Sequence, residues 1–283
     1  MSPVAVVTDT TQYLPADLVR QNDLHLVSLY VRFGEDLERE SGMPDFQAFY
    51  DRLRSAKELP TTSQPSIGDF VDVFEPLLEG GHDVVAVHIS AGISGTYDSA
   101  LQAKAQLEEQ GHGGRIEVLD SATGCGGLGF MALAAAARAR RGGGLTEVAA
   151  HATAAREKLK VWFAVDTLEY LRRGGRIGAA QAWFGGALKI KPILSIESEI
   201  TPIERVRTSG KAFDRMVEYL RSRHADGADA WIVQHIQAHD QAERLVEAGR
   251  EIFGSEPVCV SEIGPVIGAH VGPGLLGVGG IPT

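Results

Sequence analysis

The chain has little cysteine and no long apolar run. Its two cysteines, Cys125 and Cys259, lie far apart and form no Cys-x-x-Cys pair, so we expect neither a disulfide framework nor a metal site. No segment is apolar over the ~20 residues that a membrane-spanning helix needs. The N-terminus, MSPVAVVTDTT, lacks the basic leader and apolar core of a signal peptide. A cytoplasmic protein without an integral membrane segment is expected.

Positive charge is also scarce. The chain carries 27 Lys and Arg against 37 Asp and Glu, a formal net charge of -10. Long-range repulsion would oppose nucleic acids and anionic membranes, so no nucleic-acid partner is expected. The sequence is 44% hydrophobic, which is ordinary for a globular protein. Its 283 residues are too many for one small domain.

Strand-like and helical segments alternate along the first half of the chain. The apolar runs VAVVTDT, HLVSLYVRF, DVVAVHIS and RIEVLDS are separated by helical patterns such as IGDFVDVFEPLLEG. This alternation predicts an N-terminal α/β domain, residues 1–158, built of βαβ units around a mainly parallel sheet. More strands than helices follow, so residues 159–283 are predicted to form a second α/β domain with a mixed sheet.

Several predicted strands end in polar residues, among them Asp9, Ser90, Asp120 and Asp166. The carboxyl ends of strands are where open α/β sheets bind ligands. Each of these residues could instead cap the element that follows, and capping is the simpler interpretation for any single one.

The loop in HISAGISGTYDSA, residues 88–100, is rich in glycine and hydroxyl groups. It matches neither nucleotide fingerprint, G-x-x-x-x-G-K-[ST] or G-x-G-x-x-G, nor the nucleophile elbow G-x-S-x-G. What remains is a strand-to-helix loop in which Ser94, Gly95 and Thr96 can hold a small anion. A hydrolase that uses Ser94 with His270 is the weaker alternative.

Two further segments carry candidate ligand-binding groups. PTTSQPSIGDF, residues 60–70, is predicted as a loop between helices, with Thr62 among its hydroxyls and with Ser66 and Asp69 spaced for a helix cap. GPVIGAHVGPGLLGVGG, residues 264–280, places His270 among glycines that allow close backbone approach.

Arginines cluster at LEYLRRGGRI, residues 168–177, and again at IERVRTSGKA. Arg173, Arg176 and Arg207 belong to this local positive concentration in an otherwise acidic chain. For any single arginine, a solvated helix end favoured by the helix dipole is the alternative interpretation.

Eight segments carry a resemblance to a known family. In order, they are VVTDTTQYLP, TTSQPS, ISAGISGTYDSA, VLDSATGCGGLGF, DTLEYLRRGGRIG, LKIKPIL, RVRTSGKA and GPVIGAHVGPGLLG. Together they resemble the DegV family of bacterial fatty-acid-binding proteins, nearly from end to end. Two departures are Ala91, where a second serine is common, and Ser198, where a glycine usually precedes the next strand.

The resemblance implies a two-lobed protein that holds one long-chain fatty acid in a buried apolar tunnel. The C-terminal segment would return to the site between the lobes. Thr62, Ser94 and His270 match the family's carboxylate-binding positions, and the backbone N–H groups of Gly95 and Thr96 would assist them.

The resemblance also implies that the chain is not an enzyme by itself. It would present the fatty-acid carboxylate to a separate ATP-binding kinase subunit, which forms an acyl-phosphate for phospholipid synthesis. Arg173, Arg176 and Arg207 match basic positions that face this partner. No catalytic residue, cofactor or metal is expected in the chain. A fold-level analogy leaves a substrate-binding subunit of a hydroxy-ketone kinase as another alternative.

Overall fold

A computed structural model describes residues 2–43, 45–185 and 190–282. Its strands are β1 (Val4–Asp9), β2 (Leu24–Val27), β3 (Tyr30–Phe33), β4 (Asp36–Arg39), β5 (Thr61–Ser63), β6 (Asp83–His88), β7 (Ile116–Asp120), β8 (Lys160–Ala164), β9 (Lys191–Glu197), β10 (Glu199–Val206), β11 (Ala230–His235), β12 (Cys259–Glu262) and β13 (Leu276–Ile281). Its α-helices are α1 (Ala16–Gln21), α2 (Gln47–Ser55), α3 (Ile67–Glu79), α4 (Thr96–Leu107), α5 (Gly126–Arg140), α6 (Leu145–Lys158), α7 (Glu169–Arg173), α8 (Ser209–Ala225), α9 (His239–Phe253) and α10 (Pro265–Val271).

The first sheet is parallel, as the alternating pattern predicted. Its strand order is β2-β1-β6-β7, and every neighbouring pair runs parallel. Helices α3 and α4 pack on one face of this sheet and α5 and α6 on the other. Both faces are therefore covered, which is why the central strands VAVVTD and DVVAVH are apolar almost throughout.

Two segments differ from their predicted structure. HLVSLYVRF, taken as one strand, forms two strands that belong to different sheets: β2 joins the parallel sheet, and β3 joins a small antiparallel sheet of order β4-β3-β5. The segment Thr61–Ser63 is the edge strand β5 of that sheet and not a loop. Both differences come from pairing between separate strands, which the periodicity of one short segment does not predict.

The second half of the chain forms the mixed sheet that was predicted. Its order is β10-β9-β8-β13-β11-β12, with β11 and β12 parallel and the other neighbours antiparallel. Helices α8 and α9 cover one face. The opposite face turns toward α5 and α10, so the two sheets meet across a shared apolar interior. The domain boundary at residue 158 stays a prediction; β8 begins at Lys160.

Local signals explain where several elements begin and end. The capping box expected at Ser66 and Asp69 is confirmed: each side chain accepts a hydrogen bond from the other's backbone N–H at the start of α3. Helix α10 has Pro265 at its first position, and Gly272, with φ +75°, follows its last residue. These signals fix the short helix that carries His270.

Candidate functional site

A cavity lies where the two sheets meet, with an empty volume of ≈970 Å³. We call it the central pocket. Its apolar wall comes from the first sheet's loops, the mixed sheet and α10, and includes Leu29, Ile89, Ile93, Val161, Phe163, Leu171, Ile196, Ile200, Ile232, Ile263, Val266, Ile267, Val271, Leu275 and Val278. A concave, mostly apolar site with a few polar groups is typical of small-molecule binding.

Four of the predicted site residues line this pocket and come from separate parts of the chain. Thr62 lies on β5, Ser94 in the loop before α4, Arg176 in the turn after α7, and His270 on α10. We call these four residues, together with Ser63 and Gln64 next to Thr62, the polar wall; Gln234 on β11 lines the pocket as well. The structure thus brings together in one pocket hydroxyl, imidazole and guanidinium groups that lie far apart in the sequence.

Thr62 and His270 contact each other directly. Thr62 Oγ1 and His270 Nε2 lie 2.7 Å apart. Burial, together with the positive charge of Arg176, lowers the pKa of the His270 imidazole to about 4. The ring is therefore neutral near pH 7 and carries one N–H donor and one acceptor nitrogen.

The close approach of α7 to α10 depends on Gly174. A Cβ on this residue would overlap Nδ1 of His270. Two residues later, the Arg176 guanidinium donates hydrogen bonds to the carbonyl oxygens of Gly174, at 2.7 Å, and Ile93, at 3.3 Å. The Gly-Gly break in LRRGGRI thus places a cation beside the imidazole.

The glycine-rich loop before α4 is held by its neighbours. Ser90 Oγ donates to the Ser198 carbonyl oxygen at 2.6 Å, and the Ala91 N–H donates to Asp120 at 3.1 Å. A Cβ on Gly95 would come within 3.0 Å of the Gln64 side chain, so glycine lets this loop pack against the polar wall.

The hydroxyl groups in this loop pair with each other. Ser94 Oγ lies 2.9 Å from Thr96 Oγ1 and accepts the Thr96 N–H at 3.3 Å. His270 pairs with Thr62 and not with Ser94. The geometry therefore gives no support to a Ser94–His270 hydrolase, in which the serine must contact its base.

The strand-end aspartates organise loops outside the pocket wall. Buried Asp9 accepts hydrogen bonds from the Thr11 and Ile89 backbone N–H groups and pairs with His88. Asp120 accepts from Ala91 and Ala122. Capping and loop bracing, the simpler interpretation, accounts for these residues.

The three predicted partner-facing arginines occupy two environments. Arg173, the last residue of α7, and Arg207, directly after β10, are exposed. Arg176 is exposed as well but also lines the central pocket. A neighbouring arginine, Arg172, pairs with Glu169 and stacks on Phe184.

These features can now be compared with known proteins. The model of the DegV family matches residues 3–283. The chain belongs to the DegV family. Protein DegV from Bacillus subtilis is 36% identical over 280 residues, which cover 97% of this chain and 98% of that protein. A DegV domain-containing protein from Streptomyces coelicolor is 41% identical over 279 residues, 97% of each chain.

Solved DegV structures share the whole architecture. The crystal structure of DegV from Bacillus subtilis, a fatty-acid-binding protein, superposes with a TM-score of 0.89 at 35% identity and covers 100% of both chains. A fatty-acid-binding DegV family protein from Thermus thermophilus gives a TM-score of 0.88 at 32% identity, again over 100% of both chains. The predicted DegV resemblance and two-part α/β fold are confirmed. Within the described ranges, none of the helices is both long and apolar enough to cross a bilayer.

Sequence reasoning missed one buried acid of this DegV fold. Glu40 is 3% exposed and accepts hydrogen bonds from the Tyr13 hydroxyl and the Val266 N–H, both at 2.8 Å. It thereby ties the 3-10 turn after β4 to the start of α10. Its neighbours in sequence, LERESG, are typical of an exposed segment, so no local signal marked it.

Proposed function

We propose that the central pocket binds one long-chain fatty acid, with the alkyl tail against the apolar wall and the carboxylate at the polar wall. The observation that carries this proposal is the convergence of Thr62, Ser94, Arg176 and His270 in one pocket whose lining is mostly apolar. Membership of the DegV family and the fatty-acid-binding DegV structures support it.

The hydroxyl groups of the polar wall can each keep a hydrogen free to donate, which favours a carboxylate there. The neutral imidazole of His270 can donate its Nε2 hydrogen to Thr62, which leaves the Thr62 hydroxyl hydrogen free for an anionic oxygen. Thr96 can likewise donate to Ser94 and leave the Ser94 hydrogen free. Backbone N–H groups at Gly95 and Thr96, where α4 begins, add positive potential.

Arg176 supplies the countercharge in this arrangement. Its guanidinium lies on the pocket wall beside His270. An ionised carboxylate without a partner in an apolar site costs several kcal/mol. We infer that the charge of Arg176 lets the carboxylate stay ionised at this end of the pocket, and so determines which end of the lipid lies there.

The tail provides most of the binding free energy. Burial of about fifteen methylenes at ~0.8 kcal/mol each contributes on the order of 12 kcal/mol before the cost of immobilising the ligand. The contacts to the carboxylate then mainly determine how the bound fatty acid is oriented. Variants at the polar wall should change how the carboxylate is presented more than whether the lipid binds.

We further propose that the bound carboxylate is presented to a separate ATP-dependent kinase subunit, which forms the acyl-phosphate. Three features support this. The polar wall is built in part from exposed residues, Ser63, Gln64 and Arg176, so the head group would face the surface. Arg173 and Arg207 are exposed cations available to an ATP-carrying partner. His270 pairs with Thr62, so it does not serve Ser94 as the base that an acyl transfer of its own would need.

Lipid content tests the binding proposal. Native mass spectrometry and lipid extraction of the purified chain should find one long-chain fatty acid per molecule, and delipidated protein should take up palmitate. A chain that carries no fatty acid and does not take up palmitate would overturn the proposal.

Presentation is tested separately with Thr62→Ala. In the presence of the ATP-binding subunit, this variant should form acyl-phosphate at least about tenfold more slowly, because a misplaced reacting oxygen slows group transfer, while palmitate binding changes little. Thr61→Ala is the matched control, since the exposed Thr61 is adjacent on β5 and points to the other side of the strand. Equal rates for both variants would exclude Thr62 from the head-group site.

A further inference from the structure

A second cavity lies away from the central pocket. It is an open groove along α9, of ≈760 Å³, lined by His235, His239, Ala242, Glu243, Val246, Glu247, Arg250 and Val260. Beside it, two imidazoles and a carboxylate converge: one ligand-capable atom from each of His235, His239 and Glu262 lies within 4.8 Å of the other two. We propose that His235, His239 and Glu262 bind a divalent transition-metal ion of the zinc type.

Sheet pairing builds this cluster. His235 is the last residue of β11 and Glu262 the last of β12, and the two are direct partners in the parallel register. His239 is the first residue of α9, which begins after the short loop that follows β11. The expectation that the chain has no metal site was based on its cysteines. Sequence spacing does not indicate this cluster, because only strand pairing brings Glu262 to His235.

The donor set matches zinc chemistry. Two imidazole nitrogens and one carboxylate oxygen, with water as the fourth ligand, form a common open zinc site. Ligand atoms around tetrahedral zinc lie ~3.3 Å apart, because each bond is ~2.0–2.1 Å long, so the cluster must close by roughly 1.5 Å from its 4.8 Å spread. His239 is exposed and can close this distance by rotating its side chain.

Hydrogen bonds to one carboxylate oxygen of Glu262 leave its other oxygen available. Glu262 Oε1 accepts hydrogen bonds from the Gln237 backbone, at 3.2 Å, and from its side-chain amide, at 2.7 Å, so the carboxylate is oriented and Oε2 can face an ion. The Gln237 amide oxygen in turn accepts from Arg54 at 2.8 Å. Such outer contacts that hold a ligand in place are usual at metal sites.

The two histidines offer ring nitrogens to an ion. Nδ1 of His235 accepts a long, 3.4 Å hydrogen bond from the Ala238 N–H, so an ion bound through this nitrogen would replace a weak contact. Imidazole nitrogen is a usual ligand of zinc.

Isothermal titration of the untagged, full-length chain with zinc chloride tests the proposal. Wild type should show one saturable site per chain. His239→Ala should weaken this site by more than the roughly 10–100-fold that loss of an outer-shell partner costs. His151→Ala, which removes another exposed histidine, on α6, should bind zinc as wild type does.

Two further arms identify the ligands. Glu262→Gln removes the charge but keeps an oxygen that can accept from Gln237, so weaker zinc binding by this folded variant assigns the carboxylate. Magnesium, which prefers oxygen ligands, should bind far more weakly than zinc. The proposal is overturned if wild type lacks a saturable zinc site, if His239→Ala binds zinc as tightly as wild type, or if magnesium binds equally well.

Discussion

Ser198 occupies a backbone conformation that favours glycine. Its φ is +70° at the tight connection between β9 and β10, where the DegV resemblance leads us to expect a glycine. Its backbone N–H and carbonyl oxygen both make hydrogen bonds, to Ala122 at 2.9 Å and from Ser90 at 2.6 Å, so the conformation is held from both sides. A left-handed conformation costs a residue with a Cβ about 1 kcal/mol.

Ser198→Gly should therefore raise the free energy of unfolding by about 1 kcal/mol, measured by urea denaturation. Ser222→Gly is the control, because Ser222 is exposed inside helix α8 and glycine there should lower stability by about 0.5 kcal/mol. A destabilised Ser198→Gly would mean that the hydroxyl, and not the backbone, matters at this position.

Buried polar contacts fasten helix α10 and the residues just before it to the first half of the chain. Tyr50 donates to the Ile263 carbonyl oxygen at 2.5 Å, and Glu40 accepts from Val266. Burial raises the pKa of Glu40 from 4.5 to about 6, with the charge of Asp9 adding to the rise, while the hydrogen bonds from Val266 and Tyr13 oppose it. The Glu40 carboxyl thus binds its proton more tightly in the folded protein than in the unfolded chain.

The sign of the pH effect follows from this raised pKa. The contribution of Glu40 to stability is complete below its unfolded value of 4.5 and is lost as the pH rises through about 6. Glu40→Gln is neutral at every pH, so its unfolding free energy relative to wild type should increase by about 2 kcal/mol between about pH 4 and pH 7. Urea denaturation across this range measures it, with the exposed Glu58→Gln as control. A difference that stays constant with pH would contradict the assignment.

The surface of the acidic chain exposes Arg173 at the end of α7 and Arg207 directly after β10. Arg173→Glu or Arg207→Glu should leave fatty-acid occupancy unchanged but slow kinase-dependent acyl-phosphate formation by about tenfold at low salt, because charge reversal at an interface rim mainly lowers the association rate. Added salt should narrow the difference from wild type. Occupancy by mass spectrometry and the coupled rate are the two measurements.

Arg221→Glu is the matched control, since Arg221 is an exposed arginine on α8. It should behave as wild type in both measurements. Glu variants at Arg173 or Arg207 that lose their lipid yet still bind the kinase subunit would place these arginines in the binding site.

Local signals were strong enough to predict much of the fold. Short windows of sequence correctly predicted three features: the apolar runs that form β1 and β6, the capping box of Ser66 and Asp69, and the excess of strands in the second half. The failures, the split of HLVSLYVRF and the strand at Thr61–Ser63, lie in the small sheet β4-β3-β5. Strands this short have little periodicity of their own, and their partner decides their state.

Sequence by itself determined the family, the parallel first sheet and the set of residue types that the site contains, because each depends on motifs or periodicities within short windows. Only the tertiary structure decided that Thr62 contacts His270 across 208 residues, that Arg176 lies on the pocket wall, and that Glu262 is brought beside His235. Such contacts arise from strand register and from the packing of one sheet against another. Both are settled by the burial of the whole chain at once, and no short window carries that information.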